Sequence, residues 1–252
     1  LIYSSPATLA FNSPGAQGFG VKRAGLAVPN SVMLLVAPAC CGRNTTMLSA
    51  ESGYGDRFFY LLLDDTDIVT GRHLPKIPKA VEEVCQSLDH TPSAVMICIT
   101  CVDALLGTDM DRVCRKSSDR AGVPVVPCYM YALTREKRLP PMASVRKSVY
   151  SLLKPRKRKS DEVNILGYFS PLQEDCELYS LLKSAGVKTI RELSRCDTFE
   201  EYEKMSRANF SLVLNAEARY AAQQMEQELN IPFIELARVF QTDKISTQYR
   251  LL

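Results

Sequence analysis

The cysteines are the residues of this chain best suited to chemistry, and two of them occupy distinctive places. Cys41 comes shortly after the apolar run Val32–Ala37, and Cys101 comes directly after the apolar run Ala94–Thr100. Continuous apolar runs of this length are typical of strands that are buried on both faces of a parallel sheet. Because open α/β sheets bind ligands at the carboxyl ends of their strands, the sequence predicts both thiols at a ligand-binding edge.

A metal site built from these two thiols would be incomplete in one chain. A structural zinc ion or an iron–sulfur cluster takes four protein ligands, so two chains would have to contribute across a two-fold axis. Cys98 does not form a zinc knuckle with Cys101, because an offset of three on a strand puts the two side chains on opposite faces. Four cysteines lie within predicted strands or helices and are predicted to pack in the core: Cys85, Cys98, Cys114 and Cys128. Cys176 and Cys196 have no partner close in sequence.

Other catalytic signatures are missing from the sequence. It contains no G-x-x-x-x-G-K-[ST] phosphate loop and no G-x-S-x-G nucleophile elbow, and Gly18-Phe19-Gly20 is a lone G-x-G. His73 and His90 are the only histidines, and both stand among polar, loop-like residues. We predict both on the surface, so we expect neither a Ser–His or Cys–His catalytic pair nor a histidine-rich zinc site.

The charge and the apolar content are those of an ordinary globular protein. The chain has 252 residues, 31 Lys and Arg against 28 Asp and Glu, and 46% hydrophobic residues. A net charge of +3 is too balanced for a polyanion binder selected by bulk charge, so no nucleic-acid partner is expected. No apolar run is long enough for a membrane helix, and no export signal is recognisable, so we expect a cytoplasmic protein with reduced thiols.

Strand patterns alternate with helix patterns along the whole chain, which predicts parallel sheets with helical crossovers. We predict two doubly wound α/β units, residues 1–160 and 161–252. The basic run Lys154–Lys159 stands between them and is predicted to be a solvated interdomain loop, the alternative being a nucleic-acid patch or a localisation signal. Thr108 and Ser170 are predicted to be helix N-caps. The predicted strands are 32–37, 58–63, 94–100, 123–128, 163–169, 187–190, 210–214 and 231–234.

Several short motifs occur in an order that resembles the nitrogenase component 1 family. Pro38-Ala39-Cys40-Cys41-Gly42 resembles its P-x-x-C-G segment, and Asp67-Ile68-Val69-Thr70-Gly71 resembles the D-I-V-x-G that follows. The run from Thr100 to Asp109 is similar to the family's third cysteine segment, and Glu228–Phe233 is similar to part of its second domain. Together these segments cover nearly the whole chain.

The resemblance implies successive Rossmann-like domains and a cluster held between two subunits. Only Cys41 and Cys101 match the family's cluster cysteines, which favours a single [4Fe–4S] cluster bridging a homodimer or a paralogous heterodimer. Cys40 is an additional thiol that could serve as a ligand. No cysteine stands near Ser13–Ala16, where the family has its first, and the family's third α/β unit is not recognisable.

Three functions remain open from the sequence. The resemblance favours the catalytic component of a nitrogenase-like reductase, which receives electrons from an ATP-hydrolysing iron–sulfur partner, with ATP bound only on that partner. The alternative is a non-catalytic scaffold or carrier that holds a cluster or metallocofactor during assembly. The third is a plain α/β interaction domain whose cysteines all pack in the core. Neither the substrate nor any catalytic residue can be assigned.

Overall fold

The computed structural model describes residues 24–39, 41–42, 50, 53–129, 139–237, 239–250 and 252. The chain divides into two units, Leu1–Leu152 and Leu153–Leu252. Each unit is an α/β domain built around a four-stranded parallel sheet. Among the described residues, no helix combines the length and the apolar character needed to cross a bilayer.

The sheet of the first unit is formed by the apolar runs identified in the sequence. Its strands are β1 (Val32–Pro38), β2 (Phe58–Leu63), β3 (Val95–Ile99) and β4 (Val125–Tyr129). They pair in parallel in the order β2-β1-β3-β4. All five residues of β3 are buried, as expected for a central strand that is covered on both faces.

Helices connect these strands and cover the sheet. They are α1 (Asp65–Thr70), α2 (His73–Ser87), α3 (Cys101–Leu105), α4 (Met110–Ala121) and α5 (Pro141–Tyr150). Helices α2 and α4 pack against each other, and α5 packs against β4. Ile77 and Val81 of α2 and Val113 of α4 join Leu34 and Ile97 of the sheet in one buried apolar cluster. Burial of this apolar surface is the main stabilisation of the unit.

The second unit repeats the same sheet order. Its strands are β5 (Glu162–Leu166), β6 (Thr189–Glu192), β7 (Phe210–Val213) and β8 (Phe233–Glu235). They pair in parallel in the order β6-β5-β7-β8. Its helices are α6 (Glu177–Ser184), α7 (Phe199–Glu203), α8 (Arg219–Leu229) and α9 (Thr242–Tyr249). The α/β fold with parallel sheets is therefore confirmed, and all the predicted strands are present, some with shifted ends.

The N-cap predicted at Thr108 is wrong by one residue. Helix α4 is capped by Asp109, whose Oδ1 accepts a hydrogen bond from Arg112 N at 3.0 Å. The Thr108 hydroxyl instead donates to Asp103 Oδ1 at 3.1 Å. The Thr108 side chain is thus engaged by a carboxylate of the preceding helix and does not cap its own.

The helix predicted to start at Ser170 begins later, at Glu177. The reason is that both backbone groups of Leu172 are bound by side chains from the region of β6. Glu192 Oε2 accepts from Leu172 N at 2.9 Å, and Arg195 Nη2 donates to Leu172 O at 2.8 Å. These hydrogen bonds hold the segment in a loop although its local sequence is that of a helix start.

The basic segment Lys154–Lys159 belongs to the second unit. Its side chains are exposed, as predicted, but they do not all point freely into water. Arg156 Nη2 donates to Glu203 Oε2 at 2.8 Å, and Arg158 Nη2 donates to Asn209 Oδ1 at 2.9 Å. Arg156 and Arg158 are therefore fixed to other residues of the second unit.

Two neighbouring leucines of α6 test the assignment of the second core. Leu182 is 1% exposed and belongs to the apolar cluster, whereas Leu181 is 36% exposed. We expect Leu182→Ala to lower the free energy of unfolding by about 2–5 kcal/mol, because it leaves a cavity. Leu181→Ala should lower it by less than about 1 kcal/mol. Urea unfolding followed by circular dichroism measures both, and equal losses would contradict this account of the core.

Candidate functional site

Cys41 and Cys101 follow two strands that are direct neighbours in the first sheet. Strands β1 and β3 pair in parallel, with Val36 opposite Ile99. Cys101 is the first residue of α3, directly beyond β3, and Cys41 lies in a helical segment just beyond β1. Both thiols are partly buried, and neither forms a disulfide. The topology therefore brings both cysteines to the carboxyl edge of the same sheet, where a ligand of an open α/β domain is bound.

A tyrosine on the neighbouring strand holds the chain where β1 ends and the helical segment with Cys41 begins. Tyr60 lies on β2, and its hydroxyl donates to Pro38 O at 2.6 Å and lies 3.0 Å from Ala37 O. Its ring occupies the place where a Cβ of residue 42 would be, so only glycine fits at Gly42. Gly42 is thus explained by packing: a residue without a side chain lets the helical segment lie against the tyrosine ring.

The remaining described cysteines are less suited to holding a metal. Cys98, Cys114 and Cys128 are buried, and Cys85 packs against the core, which confirms their predicted role. Burial raises the pKa of Cys114 to about 12 and that of Cys196 to about 11, and burial also raises the pKa of Cys85. Because a metal ligand must be a thiolate, raised pKa values oppose metal binding at these three thiols.

Within the described residues, no group of three or more His, Cys, Asp or Glu side chains could hold a metal ion. Cys40 lies outside the described residues, as do Ser13–Ala16 and the glycines Gly18 and Gly20. The described part of one chain therefore provides two thiols at this edge. Two thiols are half of the donor set that a [4Fe–4S] cluster takes, so the residues present fit a shared cluster.

A histidine lies beside the Cys101 helix, contrary to the sequence prediction. His90 is exposed, as predicted, but His73 is only 1% exposed. Its Nε2 lies 3.3 Å from Oδ1 of the fully buried Asp103, and its Nδ1 lies 3.2 Å from Asp67 O. The prediction failed because His73 was assigned to a polar loop, whereas it begins α2 and turns inward toward α3.

Asp103 is the acidic partner in this buried group. It stands two residues after Cys101 within α3. Burial raises the pKa of Asp103, while the Thr108 hydroxyl and His73 act in the opposite direction. Its Oδ2 has no hydrogen-bond partner among the described residues. A polar side chain in the middle of Val102-Asp103-Ala104-Leu105 is the sequence signal that could have identified it.

Asp67 connects His73 to Lys76 of α2 and to Asp64, which precedes α1. Its carboxylate accepts a hydrogen bond from Lys76 Nζ at 2.6 Å, which lowers the pKa of Asp67. Its backbone N–H donates to Asp64 Oδ1 at 2.6 Å, which caps α1. Gly71 ends that helix in the left-handed conformation, with a φ of 68°. The Asp67–Gly71 motif therefore forms most of α1 and its left-handed C-cap, and the backbone carbonyl of Asp67 faces His73.

Large apolar side chains are exposed at the same edge. In the described part of the first unit, every exposed large hydrophobic residue lies near the end of a strand or in the helices that follow it: Leu62, Val69, Leu74, Leu105 and Leu106. Val69 is 84% exposed and Leu105 is 71% exposed. A single exposed leucine is unremarkable, but several at one edge are typical of an interaction surface. We refer to these five residues as the apolar rim.

Comparison with known proteins places the chain among nitrogenase relatives. A family model described as nitrogenase component 1 type oxidoreductase matches residues 16–252. The nitrogenase iron-molybdenum cofactor biosynthesis protein NifE of Rhizobium meliloti (strain 1021) is 27% identical over 224 residues, covering 86% of this chain and 47% of NifE. NifE of Nostoc sp. (strain PCC 7120) is 24% identical over 216 residues, covering 82% of this chain and 44% of NifE.

Solved structures agree on the fold. The structure described as nitrogenase Cp1 at pH 6.5 superposes with a TM-score of 0.63 at 20% identity, covering 90% of this chain and 47% of that one. The chain spans about half the length of the curated relatives it matches. The resemblance seen in the sequence motifs is confirmed, since the family model covers almost the whole chain. The protein belongs to the nitrogenase component 1 type oxidoreductase family.

Proposed function

We propose that this chain acts in metallocofactor assembly, as a scaffold that holds an iron–sulfur cluster through Cys41 and Cys101. The observation that carries the proposal is the position of these two thiols beyond adjacent parallel strands. The assembly role is supported by the relatives, which are named as cofactor biosynthesis proteins. The sequence alone favoured the reductase and left the scaffold as the alternative, and the relatives favour the scaffold.

Four residues at this edge of the sheet would contribute to holding the cluster. Cys41 and Cys101 supply two thiolates, and the packing of Tyr60 against Gly42 holds the helical segment on which Cys41 stands. A bound cluster supplies iron and sulfide in a form that can be passed on, or stores an electron. A scaffold must also let its cargo leave, and a site divided between two chains can open by separating them. Cys40, next to Cys41 in the sequence, is a candidate third thiol.

The second chain is needed because one chain supplies only half of the ligands. We assign this role to a second copy, whose Cys41 and Cys101 complete the set across a two-fold axis. The apolar rim supports the assignment, since exposed leucines and a valine at the thiol-bearing edge are suited to being covered by a partner. A paralogue of the same fold would meet the same requirement.

The catalytic component of a nitrogenase-like reductase is the second candidate. The family's description as an oxidoreductase favours it. In that case the cluster stays on the protein and relays electrons from an ATP-hydrolysing iron–sulfur partner. The two functions differ in what happens to the cluster: a scaffold gives it up, and a reductase component retains it.

Cluster transfer distinguishes the two functions. Iron-loaded protein is mixed anaerobically with an excess of apo-ferredoxin, and the two proteins are then separated and assayed for iron. We expect most of the iron to move to the acceptor, because a cluster shared across an interface is released when the chains separate. Quantitative retention, together with repeated reduction and reoxidation of the bound cluster, would favour the reductase component and contradict the scaffold.

The ligand assignment predicts which cysteines hold iron. Anaerobically prepared protein should contain about four irons per two chains. Cys41→Ala and Cys101→Ala should each lower this to less than about one, because each substitution removes two of the four ligands from a symmetric site. Cys176→Ala is the matched control, since Cys176 is also partly buried but lies in the second unit. Equal iron content in the Cys41 and Cys176 variants would show that the assignment is wrong.

The apolar rim predicts the assembly surface. We expect Leu105→Glu to weaken self-association of iron-loaded protein by at least about tenfold, because it places a charge in an apolar interface. Leu181→Glu changes an exposed leucine of the second unit and should leave association unchanged. Removal of iron by a chelator should also weaken the dimer. Sedimentation-velocity ultracentrifugation measures all three, and an iron-loaded monomer would contradict the assembly.

A further inference from the structure

We propose that His73, Asp103 and Thr108 are positioning residues for Cys101: they anchor the short helix that carries this thiol and so fix where its sulfur stands. The inference rests on the proposed function only in taking Cys101 as a cluster ligand. The three side chains come from α2, from α3 and from the loop after α3, and they meet at the Asp103 carboxylate.

The helix that carries Cys101 needs such an anchor. Helix α3 has five residues, Cys101–Leu105, which is little more than one turn. A helix of this length is unstable unless tertiary contacts hold it. Leu105, the last residue of α3, and Leu106, which follows it, are exposed and contribute little packing within the chain. Asp103 is the residue of α3 that is held from several sides.

Two of these contacts close the loop after the helix. Thr108 Oγ1 donates to Asp103 Oδ1 at 3.1 Å, and Thr108 N donates to Asp103 O at 3.0 Å. The side chain and the backbone of Thr108 therefore both donate hydrogen bonds to Asp103. Gly107, with a φ of 65°, supplies the left-handed turn that lets the chain come back to it. The two hydrogen bonds between Thr108 and Asp103 therefore hold the loop after α3 against the helix.

The contact between His73 and Asp103 connects α3 to α2. Because Asp67 O can only accept, the His73 Nδ1 facing it must carry the hydrogen. Nε2 lies 3.3 Å from Asp103 Oδ1, a close polar contact that is not a hydrogen bond. Asp67 is itself held by Lys76 and by Asp64. A chain of polar contacts therefore runs from α1 through His73 to the residue two positions after Cys101.

Burying the polar side chains of His73 and Asp103 costs free energy that an apolar core would avoid. His73 and Asp103 are both buried. Three buried polar atoms near Cys101 lack hydrogen-bond partners among the described residues: His73 Nε2, Asp103 Oδ2 and Thr100 Oγ1. Apolar side chains of similar size usually stabilise a core at least as well as a buried polar pair. What the polar contacts add is a fixed orientation, and metal-binding residues depend on such supporting contacts for a defined geometry.

The rate of Cys101 alkylation in the iron-free protein tests the positioning role without any cluster. Iodoacetamide labelling of Cys101 is followed by mass spectrometry and normalised to Cys176 in the same molecule. We expect Asp103→Ala to raise the normalised rate about tenfold, because α3 opens locally. Thr108→Val removes one hydroxyl at a partly exposed position and should raise it in the same direction, which provides a reading if Asp103→Ala does not fold. Thr108→Ser should restore the original rate.

Ser117→Ala is the matched control. Ser117 is fully buried in α4, and its hydroxyl donates to Val113 O at 2.8 Å, so its loss also removes a buried hydrogen bond. This variant should lower the melting temperature without changing the Cys101 to Cys176 ratio. If Asp103→Ala and Thr108→Val leave the ratio unchanged, or change it no more than Ser117→Ala does, the positioning role is overturned.

Iron-loaded protein provides the second reading. Thr108→Val should release iron to a chelator about tenfold faster than the unchanged protein and shift the electron paramagnetic resonance signal of the reduced cluster, and Thr108→Ser should restore both. If the unchanged protein binds no iron, the proposed function fails, and the labelling ratio still decides the positioning role. Altered labelling without altered iron release would mean that α3 is anchored but that Cys101 is not a ligand, which overturns the inference as stated.

Discussion

The parallel pairing of β1 with β3 is the constraint on which the candidate site depends. Parallel strands end at the same edge, so residues that are far apart in sequence, in the helical segments after Pro38 and after Thr100, are brought to one side of the sheet. The pairing is fixed because both strands are buried on both faces, and a shift in register would displace apolar side chains along the whole strand. Core packing and site geometry are therefore set by the same contacts.

The two thiols are held in different ways at that edge. Cys41 stands on a helical segment held by a neighbouring tyrosine, whose ring excludes any side chain at Gly42. Cys101 stands on a short helix fixed by a buried carboxylate. The ring and hydroxyl of Tyr60 shape the first, and contacts to the Asp103 carboxylate shape the second. Tyr60 is partly buried and Asp103 is buried, whereas the five residues of the apolar rim are exposed.

The sequence was sufficient to predict the strands and the edge at which Cys41 and Cys101 lie, because short continuous apolar runs that alternate with helix patterns are typical of buried parallel strands. It was not sufficient where long-range polar contacts override local preference. Ser170 has the sequence of a helix start, but Glu192 and Arg195 bind the backbone of Leu172. His73 stands among polar residues, but its partner Asp103 is remote in sequence, and the fold alone brings them together.

The central claim is that one cluster is held by two chains, and native mass spectrometry of the anaerobically prepared protein tests it most directly. The account predicts that the cluster-bearing species has the mass of two chains plus about four irons and four sulfides. It also predicts that collisional loss of the cluster accompanies separation of the chains. A cluster of that mass on a single chain, or a dimer that keeps its cluster after both Cys41 and Cys101 are replaced by alanine, would contradict it.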